Sequence, residues 1–188
     1  MNRRRILKYI AGSAILPITE TAYGGVEREV KDVQGSMRVI PFDLDISNIQ
    51  ESEFIQIPTT RSLLFVVKRT EGEVLNLRKS EYSAELKDTN SEQSEQPMLA
   101  KNFTRSIRPE LFICWGHCTR LGCTIEYASK VELLRKKRAY IDIAGFNCPC
   151  DGSAYDLAGR VFSGMPAPTN LIVPEYEFID DVTIRIHG

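Results

Sequence analysis

Histidine is nearly absent from this chain: its 188 residues include only His117 and His187. That scarcity narrows every chemistry that needs imidazole for metal binding or proton transfer. Cysteine is sparse too. Five are too few for a small disulfide scaffold. Charge of one sign does not prevail, because 24 Lys and Arg face 25 Asp and Glu, a formal net charge of −1. No global basic field therefore directs the chain to nucleic acid or to an anionic membrane. Long apolar runs are missing as well. The length excludes a large barrel or two full domains and supports one ordinary domain with a short appendage. Hydrophobic residues at 43% and charged residues at 26% suffice for a packed core and exclude wholesale disorder.

What is present begins with an address. Arg3-Arg4-Arg5-Ile6-Leu7-Lys8 precedes a short apolar run that ends near Ile18. Positive residues before such a run read as an export signal, and paired Arg before an aliphatic pair and Lys resembles a twin-arginine signal. Residues 6–18 would make roughly 20 Å of helix, short of the roughly 30 Å of a hydrocarbon core. The expectation is a twin-arginine-like signal or short anchor over 1–18 with no small-x-small cleavage site in view. A polar linker with Gly24-Gly25 and Gly35-Ser36 follows over 19–40. The expected location, if this start acts as such a signal, is the periplasmic face of a bacterial inner membrane, or the soluble periplasm if the run does not anchor.

From residue 41 the texture is that of strands. Phe42 to Ile46 and Phe54 to Ile57 alternate apolar and polar, while Leu63 to Val67 and Leu111 to Trp115 are continuous apolar runs. Glu71 to Tyr82 is compatible with a short helix. Thr89 to Pro97 reads as a polar loop. Arg135-Lys136-Lys137-Arg138 reads as a solvated hairpin end before a strand from Ala139 to Ile143. The tail from Ile172 to Ile186 holds two short strands separated by Asp180-Asp181. This spacing predicts a mainly antiparallel β domain.

All five cysteines fall between residues 114 and 150. Cys114 reads as a core residue. The other four form two loops, Cys118-Thr119-Arg120-Leu121-Gly122-Cys123 and Cys148-Pro149-Cys150-Asp151-Gly152-Ser153. Neither holds Cys-x-x-Cys, which argues against a zinc ribbon or a thioredoxin-like site. Two such loops can face each other and hold something between them, or be a pair of turns stapled by a disulfide. Spacing alone favours neither.

The two loops resemble the cluster-binding loops of Rieske iron–sulfur proteins, whose pattern is Cys-Thr-His-Leu-Gly-Cys and Cys-Pro-Cys-His-Gly-Ser. The likeness extends to Asn90 through Pro97, Ala100-Lys101-Asn102, Arg105-Ser106-Ile107, Ser153-Ala154-Tyr155-Asp156 and Gly164-Met165-Pro166-Ala167-Pro168-Thr169-Asn170-Leu171. These stretches are similar to Rieske subunits of bacterial ubiquinol–cytochrome c reductase, and the resemblance spans roughly residues 41–188. It implies a Rieske-type antiparallel β domain over 41–188, with a small cluster-loop subdomain near 112–168. Its family role is electron transfer from quinol to a cytochrome c-type haem through a [2Fe–2S] cluster, beside cytochrome b and cytochrome c-type subunits. Position by position, Cys118 and Cys148 match the thiolate ligands, and Cys123 and Cys150 match the disulfide between the loops. Ser153 and Tyr155 match hydroxyl donors to the cluster sulfurs. Leu121 matches the residue that shields the cluster, Gly122 and Gly152 the tight-turn positions, and Pro166 lies in the covering loop.

Both histidine ligand positions are substituted: Arg120 stands at the first and Asp151 at the second. Two imidazoles on one iron raise the potential of a Rieske centre far above that of an all-cysteine cluster. Arginine stays protonated and cannot ligate. Asp can, but it adds negative charge. His117 neighbours Cys118 on an extended segment and is expected to face away from the site. His187 is expected on the solvent side of the last strand. Three readings follow: an electron-transfer subunit, a cluster-free Rieske-fold protein that is disulfide-stabilised and binds a partner, and a site of altered ligation built on Cys118, Cys148 and Asp151. In the cluster-free reading Arg120 and Asp151 form a salt bridge where metal would lie.

Overall fold

The structure, a computed structural model, describes residues 30–31, 37–38, 41–60, 62–79, 85–129 and 143–187. The signal-like start, most of the linker, the basic run at 135–138 and the expected strand up to residue 142 lie outside them. A two-stranded pair, β1 (Val30–Lys31) with β2 (Met37–Arg38), precedes three antiparallel three-stranded sheets.

The first sheet joins the two ends of the domain. β3 (Phe42–Asp45) pairs with β11 (Thr183–Ile186), which pairs with β10 (Tyr176–Phe178). Alternation dictates this arrangement. Phe42, Leu44, Ile184 and Ile186 are buried on one face. On the other, Asp43 and Arg185 stand opposite in register, with two contacts of 2.7 and 2.9 Å. The tail strands are thus those read from the sequence, separated at Asp180-Asp181.

The second sheet is the apolar heart. β5 (Leu63–Lys68) lies between β4 (Glu53–Pro58) and β6 (Leu111–Trp115). Strands buried on both faces need apolar residues throughout, which explains the continuous runs in central β5 and in β6, every residue of which is buried. The third sheet is smaller: β7 (Glu126–Ala128), β8 (Gly145–Asn147) and β9 (Ala154–Asp156). Aromatic rings fix it to the second. Phe54 stacks on Tyr127 at 5.1 Å, and Phe146 lies 6.2–6.3 Å from Phe54, Phe65 and Phe112. These contacts orient the strands that carry both cysteine loops.

Two expectations are refined. The helix α1 covers only Glu71–Asn76. It begins with a capping box, in which Thr70 Oγ1 accepts the Glu73 N–H and Glu73 accepts the Thr70 N–H. It ends early because Leu77 turns into the core while Leu75 is exposed. The polar stretch at 89–97 is indeed without regular structure, yet it is partly buried and functions as a collar. Ser91 and Ser94 contact Asn170, and the Val173 N–H donates to the Glu95 carbonyl. Arg105, fully buried, donates to the side chain of Gln96 and to the carbonyls of Ala158 and Leu171. Hence the polar residues before the first loop hold the segment beyond the second.

Candidate functional site

β6 runs directly into the first cysteine loop and β8 into the second. The loops share one backbone design. In the first, the Cys118 N–H donates to the Cys123 carbonyl at 2.8 Å, and the Gly122 N–H to the Cys118 carbonyl at 2.9 Å. In the second, the Cys148 N–H donates to the Ser153 carbonyl at 2.7 Å, and the Gly152 N–H to the Cys148 carbonyl at 2.9 Å. Closing such a loop requires a left-handed residue at its fifth position. Gly122 (φ 71°) and Gly152 (φ 73°) supply it without the penalty a Cβ would bring.

The loops face each other and are joined by the Cys123–Cys150 disulfide, with a Cα separation of 6.4 Å. Cys118 and Cys148 remain as buried free thiols. Their sulfurs and a carboxylate oxygen of Asp151 all lie within 4.8 Å of one another. Asp151 Oδ1 accepts the Ser153 N–H at 2.8 Å, while Oδ2 lies 3.8 Å from Cys118 Sγ. The same Oδ2 is 3.8 Å from Arg120 Nη1, with Asp151 almost fully buried and Arg120 half exposed. Asp151 therefore turns inward to the sulfurs and meets Arg120 at once; the two arrangements are not exclusive.

Electrostatics follow from this packing. Burial pushes the Asp151 carboxyl up, but the Ser153 backbone and hydroxyl, the Cys148 thiol and the Arg120 guanidinium outweigh it and hold the carboxyl below its usual range. Burial raises the Cys148 thiol to about 11, against the partial relief of the Asp151 and Cys150 backbone N–H groups. Tyr155, on β9, has its hydroxyl 3.3 Å from Cys118 Sγ and is likewise pushed up by burial.

A third segment closes over the loops and is tied to both of them. Ser153 Oγ accepts the Ala167 N–H at 2.9 Å, and Thr119 Oγ1 donates to the Thr169 carbonyl at 2.8 Å. Lys87 Nζ donates to the carbonyls of Met165 and Ala167. Lys87 carried no signal of its own, since it acts through a partner 80 positions away; Thr119 and Thr169 lie inside the family motifs, but their contact across 50 positions does not show there. Leu121 is 62% exposed at the tip of the first loop, and Pro166 is exposed on the covering segment.

The chain is 35% identical over 188 residues to the ubiquinol–cytochrome c reductase iron–sulfur subunit of Allochromatium vinosum, covering 98% of this chain and 87% of that protein. The chain belongs to this family. The corresponding subunit of Blastochloris viridis is 31% identical, over 97% of this chain and 92% of the relative. Among solved structures, a chain of a hyperthermophilic respiratory complex III aligns with a TM-score of 0.43 and 20% identity, covering 76% of this chain and 71% of that one. No protein-family model matches.

Family membership sharpens the question of ligands. A Rieske cluster needs two imidazoles beside two thiolates. Arg120, which the resemblance sets at the first of those positions, offers a guanidinium with no lone pair to give. The His117 ring is turned to Ser62, with Nδ1 3.3 Å from Ser62 Oγ. His187 lies beside Glu177, with Nε2 3.3 Å from its carboxylate. The residues of this Rieske-family site do not fit a [2Fe–2S] cluster of Rieske ligation.

Proposed function

We propose that this chain takes the Rieske-subunit position in a ubiquinol–cytochrome c reductase-type complex and acts there by binding partners, without a Rieske [2Fe–2S] cluster. One observation carries the reading: Arg120 Nη1 lies 3.8 Å from Asp151 Oδ2, and these are the two residues that the resemblance sets at the family imidazole positions. Electron transfer from quinol to a cytochrome c-type haem is the family's role, and the imidazole pair is what suits a Rieske centre to it. Without that pair the retained parts of the site are structural. The disulfide, the two glycine turns and the ties from Ser153 and Thr119 to the covering segment keep the docking tip in shape. Leu121, Pro149, Pro166 and Pro168 present an exposed, largely apolar tip, suited to cytochrome b and cytochrome c-type subunits. In this proposal residues 1–18 are the twin-arginine-like address or short anchor, 19–40 the linker, and 41–188 the domain with its loop subdomain near 112–168. The protein works at the periplasmic face of a bacterial inner membrane. No helix among the described residues is long and apolar enough to cross a membrane.

The test is iron and acid-labile sulfide in freshly purified protein, with electron paramagnetic resonance of the reduced sample. The expected result is no labile sulfide and no Rieske signal. Two irons and two sulfides per chain with that signal would overturn the proposal. Co-purification with the cytochrome subunits is expected to be lost when Leu121 is changed to Asp, and retention of binding by that variant counts against the tip as the docking surface.

A further inference from the structure

Without a cluster, the space between the loops is lined by a coherent set of donors. Cys118 Sγ, Cys148 Sγ and an Asp151 oxygen converge within 4.8 Å. A single tetrahedral cation with metal–sulfur bonds of about 2.3 Å and a metal–oxygen bond of about 2.1 Å would hold its sulfurs about 3.8 Å apart and sulfur and oxygen about 3.6 Å apart. The Cys118 Sγ–Asp151 Oδ2 separation of 3.8 Å is already close to that spacing. We propose that Cys118, Cys148 and Asp151 form a site for one divalent, thiophilic cation of the zinc or ferrous class. The proposal rests on the reading that no Rieske cluster fills this space.

Four features of the surroundings suit such a site. The Ser153 N–H fixes Asp151 Oδ1 and leaves Oδ2 facing the sulfurs, the kind of outer support that orients metal ligands. The Tyr155 hydroxyl lies 3.3 Å from Cys118 Sγ and gives that sulfur a hydrogen-bond partner from β9, a second outer contact of the same kind. The disulfide holds the two loops together without the metal, so the donors are gathered in advance. Charge also balances. Two thiolates and a carboxylate carry three negative charges, which a divalent ion and the adjacent Arg120 neutralise. Two sulfur donors favour zinc or ferrous iron over magnesium and calcium, which take oxygen. Three protein donors suffice for one ion with a water in the fourth place, but fall short of the four that two bridged irons require. Binding displaces two thiol protons and forms two metal–sulfur bonds and one metal–oxygen bond, with no oxidant or reductant.

The experiment uses the full chain with its disulfide intact, stripped with chelator and titrated anaerobically with Co²⁺ as the spectroscopic probe. The expected result is one equivalent bound, with sulfur-to-cobalt charge-transfer absorption and visible bands of tetrahedral strength, displaced by one equivalent of Zn²⁺. Fe²⁺ added in place of Zn²⁺ ranks the two classes. Cys118→Ser or Cys148→Ser should abolish this spectrum, and Asp151→Asn should weaken binding at least about tenfold. Near-ultraviolet circular dichroism and disulfide mapping establish that each variant is folded. Absence of charge-transfer absorption from folded protein with both thiols reduced overturns the site and leaves the cluster-free reading intact. A spectrum that survives in Cys148→Ser, or an affinity unchanged by Asp151→Asn, overturns this ligand set. Two irons with two labile sulfides in the protein as purified overturn both proposals.

Discussion

Asp156 is the carboxylate on which the approach to the covering segment depends, and its replacement gives a sharp test of the packing argument. The residue ends β9 and is fully buried. Oδ1 accepts the N–H groups of Ala158 (2.8 Å) and Arg160 (2.7 Å), and Oδ2 accepts Arg160 Nε at 2.7 Å. Arg160 is buried beside it and also donates to the Leu77 carbonyl. Asp156→Asn conserves shape and the two backbone acceptances at Oδ1, but sets an amide N–H against the Arg160 N–H and removes the balancing charge. Breaking one side of a buried pair costs about 3–5 kcal/mol, a large part of the roughly 5–15 kcal/mol that holds a domain folded. The assay is urea unfolding followed by circular dichroism, with the loss read from the midpoint at constant slope. The double change Asp156→Asn with Arg160→Met should recover part of the loss, because the amide oxygen still accepts the two backbone N–H groups and no Arg160 guanidinium is left unpaired beside it. A loss under about 1 kcal/mol for Asp156→Asn would refute the reasoning, as would a double variant less stable than the single one.

Removing the Cys123–Cys150 bridge by Ser at both positions reopens a loop with a sequence separation of 27. It should cost about 3.5 kcal/mol, seen as a fall in melting temperature of about 7–14 °C; a fall of under 2 °C would contradict it. In metal-free protein, Cys148 stands at about 11 against an ordinary 9.0. The unfolded thiol therefore ionises first, so its contribution is complete below about pH 9 and is lost as pH rises towards 11. Cys148→Ser should flatten that part of the stability profile, and an unchanged alkaline slope speaks against it. Thr70→Ala removes the capping box of α1 and should cost about 0.5–2 kcal/mol by chemical unfolding. Arg120→His alone should give no visible absorption after treatment with iron and sulfide, whereas Arg120→His with Asp151→His should; colour in the single variant would show that Asp151 serves as a ligand.

Much of this molecule was legible before any coordinates. Alternation in Phe42 to Ile46 and in the tail marked half-buried strands, because one face of each meets the core. The unbroken run Leu63 to Val67 marked a strand covered on both faces. The spacing and glycines of the two cysteine loops pointed to the family, although neither loop holds a histidine. Short-range chemistry of this kind is written in adjacent residues. Other features were decided only by tertiary structure. The strands β7, β8 and β9 are three residues each and too short to show a period. They are set by Phe146 packing against Phe54, Phe65 and Phe112. The polar stretch at 89–97 looked like a loop of no consequence, yet Arg105 and Asn170 bury against it from distant parts of the chain. The position of Asp151 was likewise undetermined by sequence, which could only set a salt bridge against a turn towards the sulfurs. The Ser153 N–H holds one oxygen, so the other faces Cys118 and Arg120 together. That outcome depends on angles between two loops about 30 residues apart, and no local pattern encodes them.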